Sequence, residues 1–260
     1  MELGAQLYTL HDYCKDLKGF EESLKRVAEI GYKVVQVSGT CDYNPKWLKD
    51  KLDKYGLKCV LTHVKPWNKL VYATKYIIED HDVLDCNYIG LGSMPNGGNT
   101  DMEMEDVLNS FIETFKPVAQ EIKDAGKYFM YHNHEFEFYK FKNGKTAFDI
   151  MLEETPAEIM GITLDTYWVQ SGGLHPAGLI RKLKGRCSAI HLKDFMLLRD
   201  RSEKHRFCAC GDGNLDFVEI LDACKDAGVE YALVEQDNCF GEDPFVCLER
   251  SYKYLKSIGY

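Results

Sequence analysis

Short apolar and β-branched runs alternate along this chain with longer stretches whose apolar positions recur at helical spacing. The run at 3–10, "LGAQLYTL", precedes "LKGFEESLKRVAEIG", where Phe20, Leu24, Val27 and Ala28 share one helical face and Gly31 supplies the stop. "YKVVQVSG" (32–39) leads to "PKWLKDKLDKYG", with Pro45 suited to a first helical turn. "LKCVLTHV" (57–64) precedes "WNKLVYATKYIIEDHDVLD", and "NYIGLGSMP" (87–95) precedes a long helical stretch over 104–126. The second half repeats the alternation. "KYFMYHNH" (127–134) leads to "TAFDIMLEE", "IMGITLDTYW" (159–168) to "PAGLIRKLKG", and "CSAIHLKDF" (187–195), after a longer connection, to "LDFVEILDACKDAG". "YALVEQDN" (231–238) is followed by a last helix.

Near-continuous apolar strands alternating with amphipathic helices imply a parallel sheet covered by helices. Eight such units without linkers or low-complexity segments predict one domain over 1–260, a single (β/α)8 TIM barrel. An open doubly wound sheet is the competing topology, but no glycine-rich dinucleotide fingerprint follows any strand.

Composition narrows the partners. At 260 residues and 45% hydrophobic, the chain can bury a large core. A net charge of −9 argues against nucleic acid or an anionic membrane surface as partner. The first residues, "MELGAQLYTLHDYC", lack the basic and apolar parts of a signal peptide, and no apolar run is long enough to span a bilayer. Ten scattered cysteines are then expected as reduced thiols in a cytoplasmic protein. Cys208 and Cys210 stand close in sequence, but two thiols without partners do not define a metal site.

In a barrel of this kind the chemistry lies at the carboxyl ends of the strands. There the chain places His63 on strand 3, then His132 and His134 with Glu135 and Glu137 just beyond on strand 5. Asp165 ends strand 6, His191 and Lys193 strand 7, and Glu235 and Asp237 strand 8. Asp165, His191 and Glu235 each close an apolar run, in "GITLD", "SAIH" and "YALVE". Buried carboxylates and imidazoles need partners, and one divalent cation satisfies several at once. Mixed oxygen and nitrogen donors suit Mn²⁺, Zn²⁺, Co²⁺ or Mg²⁺ alike. The bland reading of each residue alone is a hydrogen-bonded strand end. Two other histidines fit that reading: His175 in "GGLHPAG" as a turn into a helix, and His81 in "EDHDVLD" on a solvated helix end without a role.

At these residues the chain resembles the xylose isomerase-like barrel superfamily, particularly its sugar phosphate isomerase/epimerase branch. "YHNHEFEF", "LDTYWVQSGGLHP", "LKGRCSAIHLKDF", "GDGNLDF" and "VEQD" carry the resemblance, in that order. It implies one divalent cation at the barrel mouth, with Asp165, His191 and Glu235 matching its strand 6, 7 and 8 ligands. Strand 5 departs from the pattern: many members place a glutamate where this chain has His132. Either His132 is the fourth ligand or a glutamate of "EFEF" reaches back, and strand alternation favours His132 with His134 on the same face. A DNA-repair endonuclease of the superfamily needs extra histidines. Here strand 4 ends in Gly92 and Ser93, and Trp168 stands where that enzyme has histidine.

The resemblance therefore implies a divalent-metal-dependent sugar isomerase or epimerase that removes a proton next to a carbonyl. Glu235 is the expected acid/base group, with His134 or Glu137 on the opposite face. His63, Trp168 and Lys193 are expected to touch the carbohydrate, although Lys193 could equally pair with Asp194. Elimination from an inositol ketone or a 3-keto glycoside shares the first step and stays open. So does a non-catalytic sugar-binding barrel, which would not need the acidic and imidazole cluster. No glycine-rich phosphate cradle accompanies the site. Exposed helix faces leave room for a homo-oligomer, with no stretch marking an interface.

Overall fold

A computed structural model of the chain describes residues 1–200 and 203–260. The expected barrel is present: eight parallel strands close on themselves in the order β1, β10, β7, β6, β5, β4, β3, β2. They are β1 (Glu2–Gln6), β2 (Val34–Val37), β3 (Lys58–His63), β4 (Tyr88–Leu91), β5 (Tyr128–His132), β6 (Met160–Asp165), β7 (Ala189–Leu192) and β10 (Tyr231–Val234). Helices cover the outside: α1 (Leu17–Ile30), α2 (Pro45–Tyr55), α3 (Lys69–Tyr72), α4 (Thr74–Val83), α5 (Met104–Asp124), α6 (Ala147–Glu154), α7 (Thr166–Ser171), α8 (Pro176–Lys182), α9 (Phe217–Ala227) and α10 (Pro244–Ser257). Among the described residues no helix is long and apolar enough to cross a membrane.

The local chemistry explains these boundaries. Asp16, Asn44, Thr146, Asp216 and Asp243 cap helix N-termini through their side chains, and Gly56 and Gly228 end α2 and α9 in the left-handed conformation. Four strands stop earlier than their apolar runs suggest. β1 gives way to a 3-10 turn at Leu7–Leu10, where the Gln6 side chain accepts a bond from Tyr8 N. β5 stops at His132, and β6 stops at Asp165, whose carboxylate caps α7 by accepting from Trp168 N at 3.0 Å. β7 ends at Leu192, and the residues beyond it enter an antiparallel hairpin, β8 (Asp194–Leu197) with β9 (His205–Cys208), lying outside the barrel. At β1 and β6 a polar side chain at the strand end bonds to local backbone and turns the chain, a competition that apolar periodicity does not register.

The barrel interior is plugged by Val34, Val60, Leu61, Met130, Ala189 and Leu233. Gly4 is needed there: a Cβ on it would lie 2.6 Å from Val34 Cγ2 and 2.7 Å from Leu233 Cδ2. The larger core fills the layer between strands and helices, with Phe20, Phe115, Phe129, Phe148 and Phe217 among its buried rings. An apolar plug below leaves the polar residues gathered at the carboxyl-terminal mouth.

Candidate metal centre

His132, Asp165 and His191 stand at or one residue before the ends of β5, β6 and β7, and Glu235 directly follows β10. Those four strands are consecutive around the barrel, and the register sets Asp165 opposite His191 and His191 opposite Leu233. One donor atom from each of the four lies within 4.8 Å of the others, and all four residues are buried. His132 Nε2 is 3.3 Å from Asp165 Oδ2, and His191 Nδ1 is 2.9 Å from Glu235 Oε2.

The outer hydrogen bonds aim these donors inward. His132 Nδ1 bonds the Gly92 carbonyl at 2.8 Å, which leaves Nε2 with its lone pair facing Asp165. His191 Nε2 meets Gln36 Oε1 at 2.6 Å, which leaves Nδ1 facing Glu235. Gln6 donates to Glu235 Oε1 at 3.1 Å, and Asn133 Oδ1 accepts from Asp165 N at 3.0 Å. His191 Nδ1 faces Glu235 Oε2, and the other charged group beside that oxygen is the Lys193 ammonium at 3.0 Å. Two acceptors held this close need a proton or a cation between them. The donor set therefore fits a divalent ion of the kind that takes mixed nitrogen and oxygen ligands.

Lys193 completes the charge pattern. Its Nζ is 3.0 Å from Asp165 Oδ2, 3.0 Å from Glu235 Oε2 and 3.1 Å from Asp237 Oδ1, and the side chain is almost wholly buried. Three carboxylates around one ammonium leave an excess of negative charge, which a divalent ion would balance. Burial alone would raise Asp165 and Glu235, but the Lys193 ammonium and the neighbouring imidazoles outweigh it and hold both carboxyls below their ordinary range. Burial lowers His191, yet Glu235 and Asp165 more than reverse this and lift it to about 9. Burial and the neighbouring Glu235 push Asp237 up to about 6. Burial and the neighbouring His132 hold His134 down at about 3.

The centre opens into a cavity of about 550 Å³, lined among others by His63, His132, His134, Lys193, Glu235 and Asp237. A match to the model of the xylose isomerase-like TIM barrel family covers residues 24–244. The chain belongs to that family. A curated relative, the inosose dehydratase of Geobacillus kaustophilus (strain HTA426), is 22% identical over 242 residues, spanning 77% of this chain and 74% of its own. Among solved structures, a sugar phosphate isomerase/epimerase from Parabacteroides distasonis superposes with a TM-score of 0.80 at 23% identity, covering 98% of this chain and 94% of that one. An L-ribulose 3-epimerase gives 0.74 at 13% identity, covering 99% and 94%. At such identities the structural likenesses speak for the fold.

Set inside this xylose isomerase-like barrel, the residues singled out from the sequence sort into three groups. His132, Asp165, His191 and Glu235 form the compact centre, and Lys193 joins it rather than pairing with Asp194. Asp194 instead accepts from the backbone of Phe195, Gly211, Gly213 and Leu215, fastening the "GDGNL" loop to the hairpin. His63 and His134 line the cavity. His63 packs against His132 and His191 with ring centroids 5.4 and 5.7 Å away, and its Nε2 is buried without a partner.

Glu137 and Trp168 stand behind that wall. The buried Glu137 carboxyl group accepts from the Tyr131 hydroxyl and, at 2.8 Å, from His134 N, so it braces the turn that carries His134. Trp168 rides on α7 rather than on β6, with Lys193 Nζ 5.3 Å from its ring and His134 5.2 Å away. His81 departs from its expected solvated position: it is buried, bonded to Thr62 Oγ1 at 2.8 Å and to the Ile77 carbonyl at 2.7 Å, and so ties α4 to β3. His175 caps α8, in keeping with a turn residue. Sequence reasoning passed over Gln6 and Gln36. Both stand at strand ends, in "GAQLY" and "VVQVS", the same signal that drew attention to Asp165 and His191.

Proposed function

We propose that this barrel is a divalent-metal-dependent sugar isomerase or epimerase that abstracts a proton next to the carbonyl of a keto sugar or related polyol. The observation that carries the reading is the convergence of His132, Asp165, His191 and Glu235 within 4.8 Å, beneath a cavity large enough for a sugar. Held by those four residues, a divalent ion supplies Lewis acidity to adjacent carbonyl and hydroxyl oxygens. Glu235, oriented by Gln6, is the group placed to take the proton. Lys193 adds a fixed positive charge where oxygen gains electron density, and Trp168 keeps that ammonium in place. His63 and His134 offer ring nitrogens to substrate hydroxyls. Asp237, on the cavity wall beside Lys193, is the second group within reach of a proton transfer. Glu137 acts through His134 and does not meet the substrate.

A second reading, elimination of water or another leaving group after the same proton abstraction, is favoured by one feature. The curated relative, 22% identical, is named an inosose dehydratase.

The test is a set of keto sugars and inositol ketones incubated with Mn²⁺-loaded protein in deuterium oxide and followed by NMR. Deuterium should enter the carbon beside the carbonyl, with product retaining or losing the neighbouring oxygen according to which reading holds. Glu235→Gln should slow that exchange by about a hundredfold or more while the fold survives. An exchange rate unchanged in Glu235→Gln would remove its assigned role.

A further inference from the structure

Lys193 has three N–H donors and three carboxylates within reach of them: Asp165 Oδ2 and Glu235 Oε2 at 3.0 Å, and Asp237 Oδ1 at 3.1 Å. With its donors spent, a buried ammonium is best covered elsewhere by groups that attract positive charge and ask for no hydrogen bond. Aromatic faces do this. The Lys193 Nζ lies over two of them, 5.3 Å from the Trp168 ring and 5.7 Å from the Phe207 ring. The two rings stand 6.3 Å apart at 76°, as adjoining walls of a corner. Trp168 comes from α7, but Phe207 comes from β9, in the hairpin that lies outside the barrel.

The hairpin is fastened on two sides. Phe195 and Phe207 pair across it, and both meet the Tyr167 ring, with centroids 5.4 and 4.7 Å away. The Tyr167 hydroxyl meets His205 Nε2 at 2.6 Å. On the other side the Arg206 guanidinium lies over Phe240, 4.7 Å from its centroid, in the loop that follows Asp237. These contacts tie β9 both to the helix that carries Trp168 and to the loop that begins at Asp237. We propose that the β8–β9 hairpin is part of the site, with Phe207 a positioning residue that encloses the Lys193 ammonium together with Trp168. The part Lys193 plays in turnover rests on the function proposed above; the enclosure rests on the rings themselves. The competing account is that Phe207 only packs against Tyr167, which an aliphatic side chain of similar bulk would also do.

The test is reductive methylation of the full chain with formaldehyde and cyanoborohydride, in EDTA and in Mn²⁺, read at Lys193 by mass spectrometry. Lys193 should be protected in the wild type. Phe207→Leu and Phe207→Met keep apolar bulk against Tyr167 but remove the ring face, and each should quicken Lys193 methylation about tenfold. Phe207→Tyr should keep the protection, and all three variants should melt within about 3 °C of the wild type. With any keto sugar that exchanges deuterium, Phe207→Leu should lower kcat of exchange by about tenfold and leave KM within about twofold. Protection unchanged in Phe207→Leu and Phe207→Met, an equal loss in Phe207→Tyr, or methylation that quickens only with a fall in melting temperature would overturn the inference. The expected methylation series beside an exchange rate that Phe207→Leu leaves unchanged, or beside no exchange at all, would sink the part given to Lys193 in turnover and leave the enclosure standing.

Discussion

His191 Nδ1 stands 2.9 Å from Glu235 Oε2, while the opposite nitrogen of the same ring is engaged by Gln36. The Lys193 ammonium also reaches Glu235 Oε2, at 3.0 Å. Gln36 and Gln6 hold the two side chains from behind, so they cannot turn away from one another without breaking buried bonds. The centre is preorganised to hold something positive.

Lys193 carries part of that charge already, with Asp165, Glu235 and Asp237 all within 3.1 Å of its ammonium. Lys193→Met keeps most of the volume but leaves the three carboxylates facing each other. In metal-free buffer the variant should lose about 3–5 kcal/mol of stability. Divalent ion should recover more stability in the variant than it adds to the wild type. Urea melts with EDTA and with Mn²⁺ measure both effects. A metal-free variant as stable as the wild type would mean that the charge balance is wrongly drawn.

Glu137 gives a pH dependence of a different sign from an ordinary carboxylate. Burial pushes its carboxyl up to about 8, against an ordinary value near 4.5. The folded state therefore holds a proton that the unfolded chain has released. The stabilisation is complete below about pH 4.5 and is lost as pH rises through 8. Glu137→Gln mimics the protonated form, so its stability should be flatter over that window. The difference between the two slopes should reach about 2–4 kcal/mol by pH 9. Parallel pH profiles for the two proteins would refute the buried, protonated assignment.

Asp194 receives backbone N–H groups from Phe195, Gly211, Gly213 and Leu215 at 2.8 to 3.2 Å. Gly213 is required beside it, since a Cβ there would stand 2.3 Å from Asp194 Oδ1. Asp194→Ala would strand those donors and should cost about 2–4 kcal/mol. Hydrogen exchange should quicken at residues 211–215 before it quickens in the barrel strands. Protection at that loop unchanged from wild type would show that other contacts hold it.

The barrel itself was legible because apolar strand runs and amphipathic helix runs alternate eight times, and the residues of the candidate centre could be picked out because each closes such a run. What escaped was set by single side chains bonding to nearby backbone. Asp165 turns β6 into α7 and so moves Trp168 off the strand. Glu137 looks like a mouth residue in "HEFEF", yet the 3-10 turn at Phe136–Phe138 rotates it behind His134. His81 shows the same limit: a histidine in a charged segment is buried because Thr62 and the Ile77 carbonyl take both of its nitrogens. Pairing across distant sequence, as between Lys193 and Asp237 or His191 and Gln36, is fixed by barrel closure and leaves no local mark.

The central claim is that His132, Asp165, His191 and Glu235 hold one divalent ion. Its most direct test is elemental analysis of the purified protein, joined to Mn²⁺ titration of the EDTA-treated wild type and Asp165→Asn. One ion per chain is expected, with a raised melting temperature on binding and an affinity in Asp165→Asn weaker by about a hundredfold. Wild-type protein that holds no stoichiometric divalent ion, and whose melting temperature is unmoved by added Mn²⁺ or Zn²⁺, would contradict it.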